Sequence, residues 1–297
     1  MNIGSLSTEK RNKKTVNLDE VSTESLLYVM NEEDAKVALA VREKIPNIAK
    51  AVEVITEGMK VGGRLVYIGA GTSGRIGLLD AVECPPTFSV EPTRVVGLIA
   101  GGEKAFVKAV EGAEDDEDLA RQELEAIEFS DKDVIVGIAA SGRTPYVIGG
   151  LKYAKEIGAK TIAIACNVQT DIGKIADISI EVDNGPEILT GSTRLKAGTA
   201  QKLICNMLST ATMVRMGKVY GNLMVDLQLT NEKLVDRGKR IVMNATECDE
   251  ETARKVLANS GNRPKTAILM ILANISREEA EKKLIESNGF IKKALSH

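Results

Sequence analysis

Arg64-Leu65-Val66-Tyr67-Ile68-Gly69-Ala70-Gly71-Thr72-Ser73-Gly74 is a short apolar run that breaks into a glycine- and hydroxyl-rich turn and then passes, from Arg75, into a stretch that reads as a helix. An apolar run of this length bounded by glycines has the form of a buried strand, and strand, turn and helix in succession open a βαβ unit. The texture recurs downstream. Apolar runs at residues 95–100, 134–140 and 161–165, with a weaker one at 178–182, alternate with helical stretches at 75–83, 103–127 and 145–157. This alternation predicts an α/β fold: a doubly wound five-stranded parallel sheet flanked by helices, with right-handed crossovers. Ligands of such sheets sit beyond the carboxyl ends of the strands. Those ends are residues 69–74, Gly101-Gly102, residues 141–144 and Asn167.

On the amino-terminal side, residues 31–62 predict a helical segment, started by an Asn31 cap with Glu32, Glu33 and Asp34 behind it, kinked or divided at Pro46 and stopped at Gly62-Gly63. On the other side, residues 190–218 and 222–246 read as two long helices. Residues 249–297 read as three short ones, punctuated by Ser260-Gly261-Asn262-Arg263-Pro264 and by Asn274. The expected organisation is a helical segment over 1–50, a ligand-binding α/β domain over 51–220, a connecting helix over 221–248 and a small helical bundle over 249–297.

With 297 residues, the chain is long enough for one large domain with an appendage or for two, and 43% hydrophobic with 27% charged residues is the balance of an ordinary globular protein. A net charge of -3 offers no general attraction to a polyanion, so no nucleic-acid partner is expected. The first fifteen residues carry Lys10, Arg11, Lys13 and Lys14 without the apolar stretch of a secretory signal, and runs such as 268–275 are too short to span a bilayer. A cytoplasmic chain with no membrane partner is expected. Cys84, Cys166, Cys205 and Cys248 are scattered without a CxxC pair, which suits reduced, buried thiols. The single histidine is His297, the last residue. A zinc site or a Ser-His-Asp triad therefore lacks its residues, no metal is expected, and an internal acid or base must be another group.

Two loops carry the chemistry. Gly71, Thr72 and Ser73 follow a strand and open a helix, where backbone N–H groups and the helix dipole favour an anion. Their spacing also fits the GxGxxG dinucleotide fingerprint. That motif expects an acidic residue closing the second strand, where Ala100-Gly101-Gly102 stands, with Glu103 just beyond. Ser141, Gly142, Arg143 and Thr144 leave the third strand, with Thr144 placed to cap a helix that begins at Pro145. Each loop alone is equally an ordinary tight turn with a helix cap. Two at one edge of one sheet favour a shared phosphate.

GTS on the first strand-helix turn and SGxT on the third resemble the sugar isomerase (SIS) domain, which binds phosphorylated sugars on a flavodoxin-like sheet. That domain often carries another serine where Ala139 stands here. The resemblance narrows with Glu83-Cys84-Pro85-Pro86-Thr87-Phe88, with Val110 through Asp116, with Ala140 through Tyr146 and with Thr190-Gly191-Ser192-Thr193-Arg194-Leu195-Lys196. Together these are similar to the N-acetylmuramic acid 6-phosphate etherases over nearly the whole chain, including a C-terminal bundle of the ubiquitin-associated type.

The resemblance implies loss of D-lactate from carbon 3 of the sugar by elimination, followed by hydration, with no cofactor. Such chemistry needs an acid for the departing ether oxygen and a base for the carbon 2 proton. Glu83 and Glu114 match the family's catalytic positions: Glu83, between Ala81-Val82 and Cys84-Pro85-Pro86, in a setting that favours the protonated acid, and Glu114 as the base. On sequence alone Glu83 is equally a helix-end carboxylate before a Pro-Pro stop, and Glu114 one of a solvated acidic run. Ser192, Thr193, Arg194 and Lys196, with Arg143, are the implied donors to the phosphate and to the lactyl carboxylate. A homodimer with its site near the interface is also implied, with residues 218–231 a candidate contribution. An aldose-ketose isomerase, or a sugar-phosphate sensor similar to glucokinase regulatory protein, are the alternatives.

Overall fold

The central strands form because their residues are apolar on both faces, as a sheet covered by helices on each side requires. β1 (Leu65–Gly69), β3 (Val134–Ala139) and most of β4 (Lys160–Ala165) are buried along their length, while the edge strands β2 (Val95–Ile99) and β5 (Ile178–Glu181) are only half-buried in places. The sheet order is β2-β1-β3-β4-β5 and every pairing is parallel, with Gly69 in register with Ile99 on one side and Ile138 on the other. In this computed structural model the described residues are Gly4, 6–108 and 110–296, so His297 lies outside them. The chain divides into two compact units: Met1–Val82 with Thr93–Ser209, and Glu83–Pro92 with Thr210–His297.

In the first unit, helices α1 (Thr23–Arg42) and α2 (Ile45–Lys60) precede the sheet. The helix starts at Thr23 rather than Asn31, because Ser22 supplies the cap: its Oγ accepts from the Ser25 N–H at 3.2 Å. Pro46 divides the segment and sits in the first turn of α2, where a missing N–H costs nothing. Helix α3 spans Gly71–Phe88, so it opens inside the first loop and runs past Glu83 through Pro85 and Pro86. The prolines stand in its last turn and cost only the bonds to Ala81 and Val82, so they do not stop it where the sequence suggested. The predicted helix over 103–127 is broken into α4 (Lys104–Val107), a 3-10 turn at Ala113–Asp115 and α5 (Glu117–Ala126). Gly112, at φ +78°, turns the chain, and the Asp116 carboxylate caps α5 by accepting from Asp118 and Leu119.

Helices α6 (Pro145–Glu156) and α7 (Asp171–Ile175) complete the crossovers. Tyr146, Val147 and Leu151 of α6 pack with Leu124 of α5 against Val66, Ile68 and Ile135 of the sheet. At the amino ends of β1 and β3 the Arg64 guanidinium forks onto Asp133, with Nη2 to Oδ2 at 2.7 Å and Nε to Oδ1 at 3.1 Å. Burial pushes the Asp133 carboxyl up, but the bonds from Arg64 and Ser130 outweigh that and hold it below its ordinary value.

Helix α8 covers only Lys196–Arg215 of the predicted 190–218, since residues 190–195 form a turn with Gly191 at φ +78° and Gly217 ends the far side at φ +73°. The predicted helix over 222–246 begins later. A small antiparallel hairpin, β6 (Val219–Tyr220) with β7 (Leu223–Met224), precedes it, and α9 (Glu232–Thr246) starts at an Asn231 cap. The tail holds four helices among the described residues rather than three: α10 (Glu250–Asn259), α11 (Pro264–Ala273), α12 (Arg277–Glu286) and α13 (Ile291–Ser296). Their core is Val225, Val242, Leu257, Ile268, Leu284 and Ile291. No described helix is long and apolar enough to cross a membrane.

Candidate functional site

The two hydroxyl loops leave β1 and β3, which are neighbours in the sheet, and the strand order reverses between them. This is the topological switch point at which open α/β sheets bind ligands, and it sets the loops side by side over one crevice.

The glycines of the first loop are there for closeness. A Cβ on Gly74 would lie 2.5 Å from the Gly69 carbonyl oxygen, and one on Gly69 would lie 2.7 Å from the Gly74 nitrogen. Only glycines let helix and strand meet at that distance. The first helical bond runs from Gly74 N to Ala70 O at 3.2 Å. The N–H groups of Gly71, Thr72 and Ser73 precede it and face the ligand end of the sheet. Thr72 is half-buried and Ser73 buried. The Ser73 hydroxyl donates to Gln201 Oε1 of α8 at 3.0 Å.

The second loop turns at Gly142, whose N–H bonds Ala139 O at 3.0 Å and whose φ is +70°. A Cβ there would fall 2.3 Å from Thr170 Cβ. Ser141 Oγ accepts from the Arg143 N–H at 3.3 Å. Thr144 occupies the cap position of α6, as expected, but caps through its carbonyl, which accepts from Val147 and Ile148 at 3.0 Å. Its hydroxyl accepts from no helix N–H. Arg143 is half-buried. Its Nε is buried without a hydrogen-bond partner among the described residues and lies 3.9 Å from Asp171 Oδ2. Ala139 is buried in the core beneath this loop and adds no donor.

The segment ahead of α8 is a turn in which Ser192 and Thr193 are half-buried and Arg194 is exposed. Its helix start is already filled: the buried Glu187 carboxylate accepts from the N–H groups of Lys196 at 3.0 Å and Ala197 at 2.9 Å. Lys196 departs from its expected part as a ligand cation. It is 1% exposed, and its ammonium donates to Glu33 Oε2 and to the Asn184 carbonyl, each at 2.9 Å. Its positive charge is spent on holding α1 to the α8 start. Helix α8 nonetheless borders the first loop, since a side chain at Gly198 would meet the Thr72 methyl at 3.5 Å.

The two glutamates stand in different units, Glu114 in the 3-10 turn of the first and Glu83 on α3 in the second. Both are exposed. The enclosing apolar setting expected for Glu83 is not supplied around its side chain by this chain.

Three further polar residues matter here, of which the sequence marked only Asn167, as the end of a strand. Gln201 bonds Ser73. Asn167, after β4, donates to Thr8 Oγ1 at 2.9 Å and to the Ala140 carbonyl at 3.0 Å, which ties the amino-terminal segment to the base of the second loop. Asp80 on α3 is buried and accepts from Tyr67 at 2.9 Å and Ser209 at 3.2 Å, and burial pushes its carboxyl up despite those bonds. Among the described residues there is no group of three His, Cys, Asp or Glu side chains that would hold a metal ion.

Comparison with known proteins places this arrangement. The SIS domain model matches residues 107–211, the glucokinase regulatory protein N-terminal SIS domain matches 47–155, and the C-terminal lid domain of glucokinase regulatory protein matches 221–265. A Geobacillus sp. (strain WCH70) N-acetylmuramic acid 6-phosphate etherase is 59% identical over 290 residues, 98% of each chain. The Mycolicibacterium smegmatis etherase is 57% identical over 295 residues, 99% of each chain. The Enterococcus faecalis protein named N-acetylmuramic acid 6-phosphate etherase 2 is 57% identical over 296 residues and 100% of both. The chain belongs to the N-acetylmuramic acid 6-phosphate etherase family.

Solved structures place the etherase sheet among SIS folds at much greater distance. A Bacteroides fragilis protein provisionally named a phosphosugar isomerase involved in capsule formation is 22% identical, covering 71% of this chain and 96% of its own, with a TM-score of 0.50. A Listeria monocytogenes protein provisionally named a sugar-phosphate isomerase is 19% identical, covering 66% and 93%, also at 0.50. These likenesses concern the fold alone.

Proposed function

We propose that this etherase-family chain is a carbon-oxygen lyase that converts N-acetylmuramic acid 6-phosphate and water into N-acetylglucosamine 6-phosphate and D-lactate, in amino-sugar catabolism and peptidoglycan recycling in the cytoplasm. Identity of 57% or more along the whole length of proteins bearing that name carries the reading. The two anion loops over one switch point are what a 6-phosphate requires. Gly71, Thr72 and Ser73 with Ser141, Gly142 and Thr144 supply its backbone and hydroxyl donors.

The reaction begins with ring opening, which acidifies the proton on carbon 2. Glu114 takes that proton, the carbon 3–oxygen bond breaks, and Glu83 gives a proton to the departing lactyl oxygen. Water then adds to carbon 3 and a proton returns to carbon 2. The first step is an elimination and the second an addition, each with proton transfer and no net change of oxidation state, so no electron donor or acceptor need be supplied. With Lys196 committed to Glu33, the cations left for the lactyl carboxylate are Arg143 and Arg194, of which the half-buried Arg143 with its unpartnered Nε is the better placed. The enzyme works as a homodimer. Exposed Tyr28 and Leu39, three turns apart on α1, and exposed Leu79 and Val82 on α3 support that reading.

The test is incubation with N-acetylmuramic acid 6-phosphate and assay for D-lactate, beside Glu83→Gln and Glu114→Gln. Folded wild type that releases no lactate, or that interconverts the aldose and ketose and keeps the ether, sinks the assignment. A Glu114→Gln variant that still exchanges the carbon 2 proton with solvent at the wild-type rate shows that Glu114 is not the base.

A further inference from the structure

Gln201 holds a position that neither the family's name nor the loop motifs explain. It sits in the second turn of α8, 1% exposed, with its amide between the first phosphate loop and the end of β4. Its Oε1 takes the only hydroxyl proton of Ser73, at 3.0 Å. Its Nε2 is buried with no hydrogen-bond partner among the described residues. The buried Cys166 thiol at the end of β4 donates instead to the Ala197 carbonyl of α8, at 3.5 Å.

In this arrangement Ser73 turns lone pairs toward the crevice, the wrong polarity for an anion, and a buried amide donor is left unmade at a cost. A carboxamide has two orientations of one shape. Reversed, Gln201 Nε2 donates to Ser73 Oγ, and the Ser73 proton is free to point at a ligand oxygen. The buried amide nitrogen then has an acceptor, and the Ser73 hydroxyl becomes a donor to the ligand.

We propose that Gln201 is a positioning residue for phosphoryl recognition: its amide reverses when the anion arrives and so converts Ser73 from an inward-facing hydroxyl into a phosphate donor. This rests on the reading of the Gly71–Ser73 loop as a phosphate site. The ligand chemistry is a phosphoryl oxygen, and inorganic phosphate is a sufficient probe.

The experiment is steady-state kinetics on the full chain for Gln201→Met, Gln201→Glu, Ser73→Ala and the Ser73→Ala/Gln201→Met pair, with the dissociation constant of inorganic phosphate measured alongside by isothermal titration calorimetry. A hydrogen bond to a charged group lost from binding predicts a rise in KM and in the phosphate constant of about tenfold for Gln201→Met, larger than its fall in kcat. Gln201→Glu is a carboxylate that only accepts, holds the Ser73 proton inward and raises both constants further. In the Ser73→Ala background Gln201→Met adds less than about twofold, because the group it orients is gone. An equal penalty in both backgrounds, or wild-type constants for either Gln201 variant, overturns the proposal. Gln201→Glu keeps the side-chain shape and supplies the result if Gln201→Met does not fold. Absence of lactate release by wild type defeats the lyase assignment separately, since the phosphate constant still reports the coupling.

Discussion

Lys196→Met removes a buried ammonium and leaves its partner behind. The Glu33 carboxylate is 5% exposed and takes bonds from Lys196 and, from the surface, Lys36. Burial alone opposes its charge, but those hydrogen bonds outweigh burial and bring the carboxyl from 4.5 to about 2. That is about 2.5 pH units at roughly 1.4 kcal/mol each, so burial and the lysine bonds together leave a net preference for charged Glu33 of about 3.5 kcal/mol. Breaking a buried pair by removing one member costs about 3 to 5 kcal/mol. Lys36 remains and softens the loss, while the Asn184 carbonyl also forfeits its donor. The expected destabilisation at pH 7 is therefore about 2 to 4 kcal/mol, read as a lowered midpoint in urea unfolding followed by circular dichroism.

The sign of the pH dependence follows from the lowered carboxyl. Its contribution is complete above about pH 4.5 and is lost as pH falls toward about 2, so the deficit of the variant is flat from pH 7 to 5 and narrows below that. Adding Glu33→Gln to Lys196→Met should return at least half of the lost stability, because no uncompensated charge is then buried. A variant as stable as wild type whose KM has risen tenfold or more refutes the reasoning. It would mean that Lys196 serves the ligand after all.

Three further outcomes are expected. Asp133→Asn, at the strand ends away from the loops, should cost about 2 to 3 kcal/mol in urea unfolding and leave KM within about twofold; this wild-type contribution, from a lowered carboxyl, fades as pH drops below the ordinary aspartate range. Gly142→Ala combines a residue at φ +70° with a Cβ 2.3 Å from Thr170 Cβ, so it should raise KM at least about tenfold, and a wild-type KM would argue against the second loop as a ligand site. Glu187→Ala strips the α8 start of its capping carboxylate and should lower stability by about 1 to 2 kcal/mol, measured by the same unfolding assay.

The strands and loop glycines were legible because their causes are local. An apolar run that stops at Gly69 can only be buried, and Gly69 and Gly74 report their own close approach. Helix ends were less so. The start at Ser22 precedes a largely exposed helix whose apolar spacing is weak, and Gly112 interrupts a stretch whose composition reads as continuous helix. Gln201 was silent and Asn167 was marked only as a strand end, because an amide carries no periodic signal and its meaning lies in the partner: Ser73 is 128 positions from Gln201, and Thr8 is 159 from Asn167.

Lys196 shows why charge in a motif is weak evidence of where charge is delivered. Arg194 stands in the turn ahead of α8, whereas Lys196 is the first residue of the helix. One side chain meets solvent while the other goes inward, and the inward one met Glu33, 163 positions earlier in the chain. With the inward cation neutralised and the Glu187 carboxylate already occupying the helix start, α8 offers no free positive end to a carboxylate. On the proposed function that leaves Arg143 of the second loop, whose buried Nε has no hydrogen-bond partner among the described residues and lies 3.9 Å from Asp171 Oδ2, as the cation to test against the lactyl carboxylate.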